Sequence, residues 1–385
     1  MNVSARARDI TPSLTLSLDA KAKAMKSEGV DVINFAAGEP DFDTPEHIKA
    51  AAMGALDAGF TKYTPSSGIP ELRAAISDKL KKDNQLSYEP NQIIVTSGAK
   101  HACFNALMAI LEPGDEVLIP SPHWLSYPEM VKLAGGDPVL IPTTAENGYK
   151  LTAQQFREFM SPATKLIILN TPSNPTGAVY TENELAAIAE VALDEDILIL
   201  SDEIYEKLIY DDAKHVSVAS FSKDVYNSTI TVNGFSKPYA MTGWRLGYLA
   251  APANIAKAID SLQSHSTSNV CSFAQQGALA AYKASQDCVT EMLAEYTRRR
   301  ARVIEILNTI PKLSYVKPQG AFYFLVNIAG TGMSSTQFAE KLLEQQKVSV
   351  VPGIAFGDDR TVRLSYATGL DRIEEGLKRV SEFVD

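Results

Sequence analysis

The chain has 385 residues, 45% hydrophobic and 21% charged, a globular mix that builds a core without disulfides or a structural metal. Lys and Arg number 36 against 46 Asp and Glu, and the net charge of −10 argues against nucleic acid or an anionic membrane as the main partner. Three separated cysteines without C-x-x-C, five scattered histidines without H-E-x-x-H, and no apolar run near the ~18 residues of a membrane span predict a reduced, metal-free cytoplasmic protein without a signal peptide.

Residues 1–45 precede a regular alternation. The runs 93–98, 116–122, 165–172, 196–203 and 228–236 are β-branched or leucine-rich and stop at Gly, Pro, Ser or Asp, which predicts buried strands. Helical patterns at 99–111, 124–134, 152–159 and 181–193 lie between them, so this part reads as an α/β domain with a mostly parallel sheet. Apolar side chains at Val289, Met292, Leu293, Tyr296, Val303, Ile304, Leu307 and Ile310 mark one long helix over 286–310. Strands at 321–328, 348–353 and 361–367 with helices at 335–346 and 371–383 complete a smaller α+β unit.

Ligands of parallel α/β sheets bind beyond the carboxyl ends of the strands, so the residues that follow each strand carry the chemistry. The small turn Ser97-Gly98-Ala99 opens a helix and suits a phosphate through free N–H groups and the helix dipole, although a plain strand–helix turn looks the same. Asp202 ends an apolar strand and calls for a cation or donors, with Tyr205 three residues on; a capping Asp and a core Tyr are the ordinary alternative. Lys237, after another strand, is either an exposed loop lysine or a desolvated amine able to attack a carbonyl. Arg245 suits a phosphate, Trp124 suits stacking on a flat ring or core packing, and Arg363 inside an apolar strand needs a substrate carboxylate or an internal salt bridge.

Each signal is modest alone, but their order is specific. The segments NTPSNPTG (170–177), SDEIY (201–205), Ser236-Lys237 with Arg245, and VRLS (362–365) are similar to those of the class I aminotransferases of pyridoxal phosphate fold type I. FAAGEPDF (35–42), Lys62-Tyr63 and SGIPEL (67–72) resemble most the bacterial aspartate aminotransferase subgroup that includes thermophilic enzymes. The resemblance spans essentially the whole chain. It implies a three-layer large domain with a mostly parallel sheet plus a smaller α+β domain. The division would be an N-terminal arm (1–15), a small domain (16–45 with 290–385) and a large cofactor-binding domain (46–289).

On that resemblance Lys237 would bind pyridoxal 5′-phosphate as a Schiff base and then move the substrate proton as general acid/base. Asp202 would pair with the ring nitrogen, and Tyr205 and Asn174 would bind the phenolic oxygen. Trp124 would stack on the ring, while the Gly98 and Ala99 N–H groups, Ser236 and Arg245 would hold the phosphate. Tyr63 would reach the phosphate of a neighbouring subunit, making the active unit a homodimer with shared sites. Arg363 would clamp the substrate α-carboxylate, helped by Gly38, Trp124 and Asn174. The stretch 263–269 carries no arginine for a distal carboxylate, so Lys100, beside the phosphate turn and counted with the cofactor-binding residues, would take that role, supplemented by Ser13 and Thr15. The implied reaction is a ping-pong exchange from L-aspartate to 2-oxoglutarate, through pyridoxal and pyridoxamine phosphate. Alternatives within the family are an aromatic or alanine aminotransferase, a C–S lyase, or a glutamate/aspartate-prephenate aminotransferase. Relatives that also use prephenate tend to carry a basic residue near where Thr11 stands, so Thr11 counts against that second activity. A regulator built on this fold would need a basic DNA-binding domain, for which the 45 leading residues and the acidic balance leave no place.

Overall fold

The computed structural model describes residues 3–8, 10–12 and 14–385, without the side chains of residues 5, 6, 15, 16 and 19. The strands in chain order are β1 (Ile33–Asn34), β2 (Ile93–Thr96), β3 (Glu116–Ser121), β4 (Asp137–Pro142), β5 (Thr164–Asn170), β6 (Leu198–Asp202), β7 (Thr229–Gly234), β8 (Gly247–Ala250), β9 (Ser314–Tyr315), β10 (Tyr323–Asn327), β11 (Val348–Ser349), β12 (Val351–Pro352) and β13 (Thr361–Ser365).

Seven of them form a sheet in the order β2-β8-β7-β6-β5-β3-β4. The run from β7 to β4 pairs in parallel, while β8 is antiparallel to both β2 and β7. Successive residues of a strand point to opposite faces, and both faces here are apolar. Val117, Ile119, Leu166, Ile168, Leu200 and Val232 pack on one face against Cys103, Ala106 and Leu107 of the helix Ala99–Ile110 and Met130 of the helix Ser126–Ala134. Their neighbours Leu118, Ile167, Leu169 and Ile199 pack on the other against Phe156, Leu185 and Ile188. The result is a three-layer α/β/α unit. Thr181 starts the helix Glu182–Asp194 by accepting from the Glu184 N–H while the Glu184 side chain returns to Thr181, a capping box readable in the sequence.

The second sheet, β12-β13-β10-β9, is antiparallel. The helices Asp287–Leu307, Ser335–Gln346 and Leu370–Val384 cover it through Val303, Leu307, Phe338, Leu342, Ile373 and Leu377. β1 pairs in parallel with β11, so the chain near residue 33 joins this C-terminal unit. The same core takes in Tyr205, Leu208 and Tyr210 from the segment after β6, which brings the small sheet against one wall of the site.

Two differences from sequence expectation have physical causes. The single strand expected at 348–353 divides into β11 and β12, which pair with β1 and β13 respectively. The helices Glu46–Asp57, Pro70–Asn84, Ala253–Ser266 and Ser272–Lys283 and the strands β4 and β8 were not among the expected elements. β4 is an edge strand holding two prolines, and β8 is only four residues long and opens on glycine, so neither shows a long β-branched run. No helix among the described residues is long and apolar enough to cross a membrane.

Candidate active site

A cavity of about 570 Å³ opens beyond the carboxyl ends of β5, β6 and β7, lined by Asp202, Lys237, Trp124, Asn174 and Arg363 among others. Its floor is the carboxylate of Asp202, the last residue of β6, only 3% exposed. The Tyr127 hydroxyl donates to its Oδ2 at 2.7 Å and the Ile204 N–H to its Oδ1 at 3.2 Å, with the Cys103 Sγ 3.9 Å from Oδ2. Burial pushes this carboxyl up to about 6, and the two hydrogen bonds resist the rise.

Lys237 enters from the turn after β7. Its Nζ donates to the Gly38 carbonyl at 2.6 Å and lies 5.6 Å from the ring centroids of both Tyr205 and Phe322. Burial first, then the Arg363 charge, pulls the ammonium down to about 8. A lysine in that state holds a useful fraction of neutral, nucleophilic amine near neutral pH. The Tyr205 hydroxyl lies 2.9 Å from that of Tyr323, and burial pushes the Tyr205 phenol upward.

One side of the cavity gathers hydrogen-bond donors and a guanidinium. Gly98 caps the helix Ala99–Ile110 at a φ of 87°, where a side chain is strained. A Cβ there would stand 2.6 Å from the Arg245 guanidinium, so the glycine leaves the space that the arginine fills. Arg245 donates to the Thr242 carbonyl at 2.9 Å and to the Ser97 carbonyl at 3.1 Å. The Gly98 N–H donates to the Thr96 carbonyl at 2.7 Å, so the first-turn donors left for an anion are those of Ala99 and Lys100. Ser236 lines the same cavity.

Arg363 lies across the cavity on β13, buried, and donates to the Asn174 Oδ1 at 3.0 Å and the Ala36 carbonyl at 2.8 Å. Its Nε has no partner. Its guanidinium stacks 4.4 Å from the Tyr323 ring centroid and 5.1 Å from that of Phe356. Among the described residues no carboxylate forms an ion pair with it, so of the two sequence alternatives the internal salt bridge is absent. Lys100 holds its Nζ 4.9 Å from the Trp124 ring centroid, and burial, then Arg245, lowers its ammonium. Trp124 meets Tyr127 edge-on at 5.2 Å.

Of the residues expected from sequence, the fold brings Gly38, Ala99, Lys100, Trp124, Asn174, Asp202, Tyr205, Ser236, Lys237, Arg245 and Arg363 around this one cavity. Gly98 stands directly behind Arg245. Tyr63 does not line the cavity and is 91% exposed. Ser13 lies outside the described residues, as does the side chain of Thr15, whose backbone belongs to the helix Leu14–Ser27. Sequence reasoning missed Tyr127 and Tyr323. Tyr127 falls one helical turn after Trp124, a usable signal, whereas Tyr323 hides in the aromatic run 322–324. Behind Asp202, Glu203, Glu206 and His215 bring ligand-type atoms within 4.8 Å of one another. The Lys79 ammonium pairs with Glu206, Asn84 donates to Glu203, Glu206 and Ser217, and Ser217 donates to Glu203, so a resident cation already occupies this cluster.

A cradle for an anion, a deep carboxylate, a lowered lysine and an uncompensated arginine share one cavity. Comparisons with known proteins say which family the chain carrying this cavity belongs to. Residues 30–380 match the family model for aminotransferase class I and II. The chain is 50% identical to an aspartate aminotransferase of Bacillus sp. strain YM-2, covering 98% of each chain. It is also 50% identical to a probable aspartate/prephenate aminotransferase of Aquifex aeolicus, over 100% of this chain and 98% of that one. The structure of an aspartate aminotransferase from Thermus thermophilus with maleate superposes with a TM-score of 0.96 at 43% identity, over 99% of both chains. The chain therefore belongs to the class I and II aminotransferase family.

Proposed function

We propose that the chain is a pyridoxal 5′-phosphate-dependent aspartate aminotransferase, cytoplasmic and homodimeric, that moves the amino group reversibly between L-aspartate and 2-oxoglutarate. The observation that carries this reading is Arg363. A buried guanidinium with a free Nε and no carboxylate partner among the described residues is a receptor for a carboxylate, and it faces the cavity that holds Lys237.

The donor set fits the cofactor. Arg245, Ser236 and the first-turn N–H groups after Gly98 would hold its phosphate, and Asp202 would face its ring nitrogen, an anion matched to a cation in a desolvated place. Trp124 offers its ring face, and Tyr205 and Asn174 offer donors to the phenolic oxygen. Bound pyridoxal phosphate supplies an electron-withdrawing ring that makes a substrate Cα proton acidic. Lys237 would provide the neutral amine that anchors the cofactor and, once free, the base that accepts the substrate Cα proton and holds it for return. Arg363 holds the α-carboxylate, fixing which Cα bond faces the lysine.

Lys100 beside Trp124 supplies a cation for the side-chain carboxylate. Replacing it with serine is expected to lower kcat/KM for aspartate roughly 10–100-fold, the loss of a charged hydrogen bond, with little change for alanine or phenylalanine. A coupled assay across amino donors with 2-oxoglutarate tests the whole reading. Equal activity on all donors, or equal losses for Lys100→Ser on all of them, overturns the dicarboxylate assignment. Prephenate as acceptor in the same assay reports the second activity that the name of the Aquifex relative carries.

A further inference from the structure

Tyr323 opens β10, paired with Ser365 across β13, and its side chain reaches the cavity between two groups of the proposed mechanism. Its ring lies 4.4 Å from the Arg363 guanidinium, and its hydroxyl lies 2.9 Å from that of Tyr205. Each contact answers a physical need that no other described residue meets as directly.

The first need belongs to Arg363. A buried guanidinium loses much of its hydration and normally recovers it from a carboxylate. Here a permanent carboxylate would compete with the substrate. A π face is different. It attracts the cation without neutralising it and without occupying the in-plane N–H groups that grip a carboxylate. Tyr323 offers the nearer of two such faces, Phe356 the other.

The second need belongs to Tyr205. Its hydroxyl is buried, and among the described residues Tyr323 is its hydrogen-bond partner. Without that partner the phenol loses the contact that fixes its torsion at the cavity wall, and a buried hydroxyl is left to find another.

We propose that Tyr323 is a dual positioning residue: its ring face steadies and aims the Arg363 guanidinium, and its hydroxyl fixes the Tyr205 phenol. This rests on the proposed reading of the cavity as a pyridoxal phosphate site. The two roles separate by substitution. Tyr323→Phe keeps the ring and removes the hydroxyl, whereas Tyr323→Leu and Tyr323→Met fill the space without a π face.

The experiment uses full-length protein loaded with pyridoxal phosphate. It reads the pH midpoint of the visible absorption band and the Kd of maleate, a dicarboxylate that cannot react as an amino donor. A wild-type protein that takes up no cofactor, or binds no maleate, defeats the underlying site assignment, and only variants of a competent wild type address Tyr323. For Tyr323→Phe, the band midpoint is expected to move by about half a pH unit or more while the maleate Kd stays within about 2-fold. For Tyr323→Leu and Tyr323→Met, the maleate Kd is expected to rise about 5–30-fold. With aspartate, Tyr323→Phe should act mainly on kcat, and the two aliphatic variants on KM as well. An unmoved midpoint in Tyr323→Phe overturns the hydroxyl role. An unchanged maleate Kd in whichever aliphatic variant folds overturns the ring role.

Discussion

Lys237 and Asp202 share one cavity, and burial drives both toward neutrality, the lysine down to about 8 and the carboxyl up to about 6. For the lysine the sign is set by desolvation, which penalises the ammonium, with the Arg363 charge adding to it. The neutral amine therefore dominates above pH 8 rather than above the ordinary value near 10.5. Covalent attachment of pyridoxal phosphate to the apo-protein needs that neutral amine. Its rate, followed by absorbance, is expected to climb about tenfold per pH unit below 8 and to level off above it. A rate still climbing toward pH 10 would show a lysine that burial has not moved. At this scale the sequence reveals Lys237, Asp202, Trp124 and Arg363 because each sits at or just after a strand or inside an apolar one. It does not reveal Tyr127 or Tyr323, because their hydroxyls meet Asp202 and Tyr205 across 75 and 118 residues of chain. Only the spacing from Trp124 marks Tyr127 locally, and nothing local distinguishes Tyr323 from a core tyrosine.

The anion cradle depends on how closely one helix sits on one strand. β8 begins at Gly247, and a Cβ there would lie 2.3 Å from the Ala99 nitrogen and 2.5 Å from the Gly98 carbonyl carbon. Backbone, unlike the tip of a side chain, cannot step aside, so the start of the helix Ala99–Ile110 rests directly on that glycine. Gly247→Ala is expected to cost about 2–3 kcal/mol of stability by overpacking and to weaken phosphate binding together with it. A denaturant titration and a fluorescence titration with inorganic phosphate check the two effects, and an alanine variant of unchanged stability would mean that the helix is free to lift. The central strands β3, β5, β6 and β7 were readable because both of their faces are buried, so their sequences are continuous apolar runs. β8 was not, since its close approach to the helix Ala99–Ile110 is made by a residue with no side chain.

At the scale of the whole molecule, an acidic protein concentrates four cationic groups, Lys100, Lys237, Arg245 and Arg363, around one cavity. The net charge of −10 repels polyanions, while a pocket of this charge suits small ones. We propose the division into an arm at 1–15, a small unit of 16–45 with 290–385, and a large unit of 46–289, on the strength of the β1–β11 pairing. Tyr63 stands outside the cavity, 91% exposed, and Met53 and Leu56, one turn apart on the helix Glu46–Asp57, are 53% and 44% exposed. Exposed apolar and aromatic residues of this size fit contact with a second copy of the chain. In the proposed homodimer each site would take Lys237 from one subunit and Tyr63 from the other. Lys237→Ala alone then removes activity, and Tyr63→Ala alone lowers it in every site. In a mixed dimer both defects fall in one site, and the other contains native Lys237 and native Tyr63. Refolding the two variants together in equal amounts makes about half of the dimers mixed, so roughly a quarter of all sites should regain wild-type kcat/KM. Were Tyr63 to act within its own subunit, every site would keep a defect, and the mixture would be no more active than the average of the two variants.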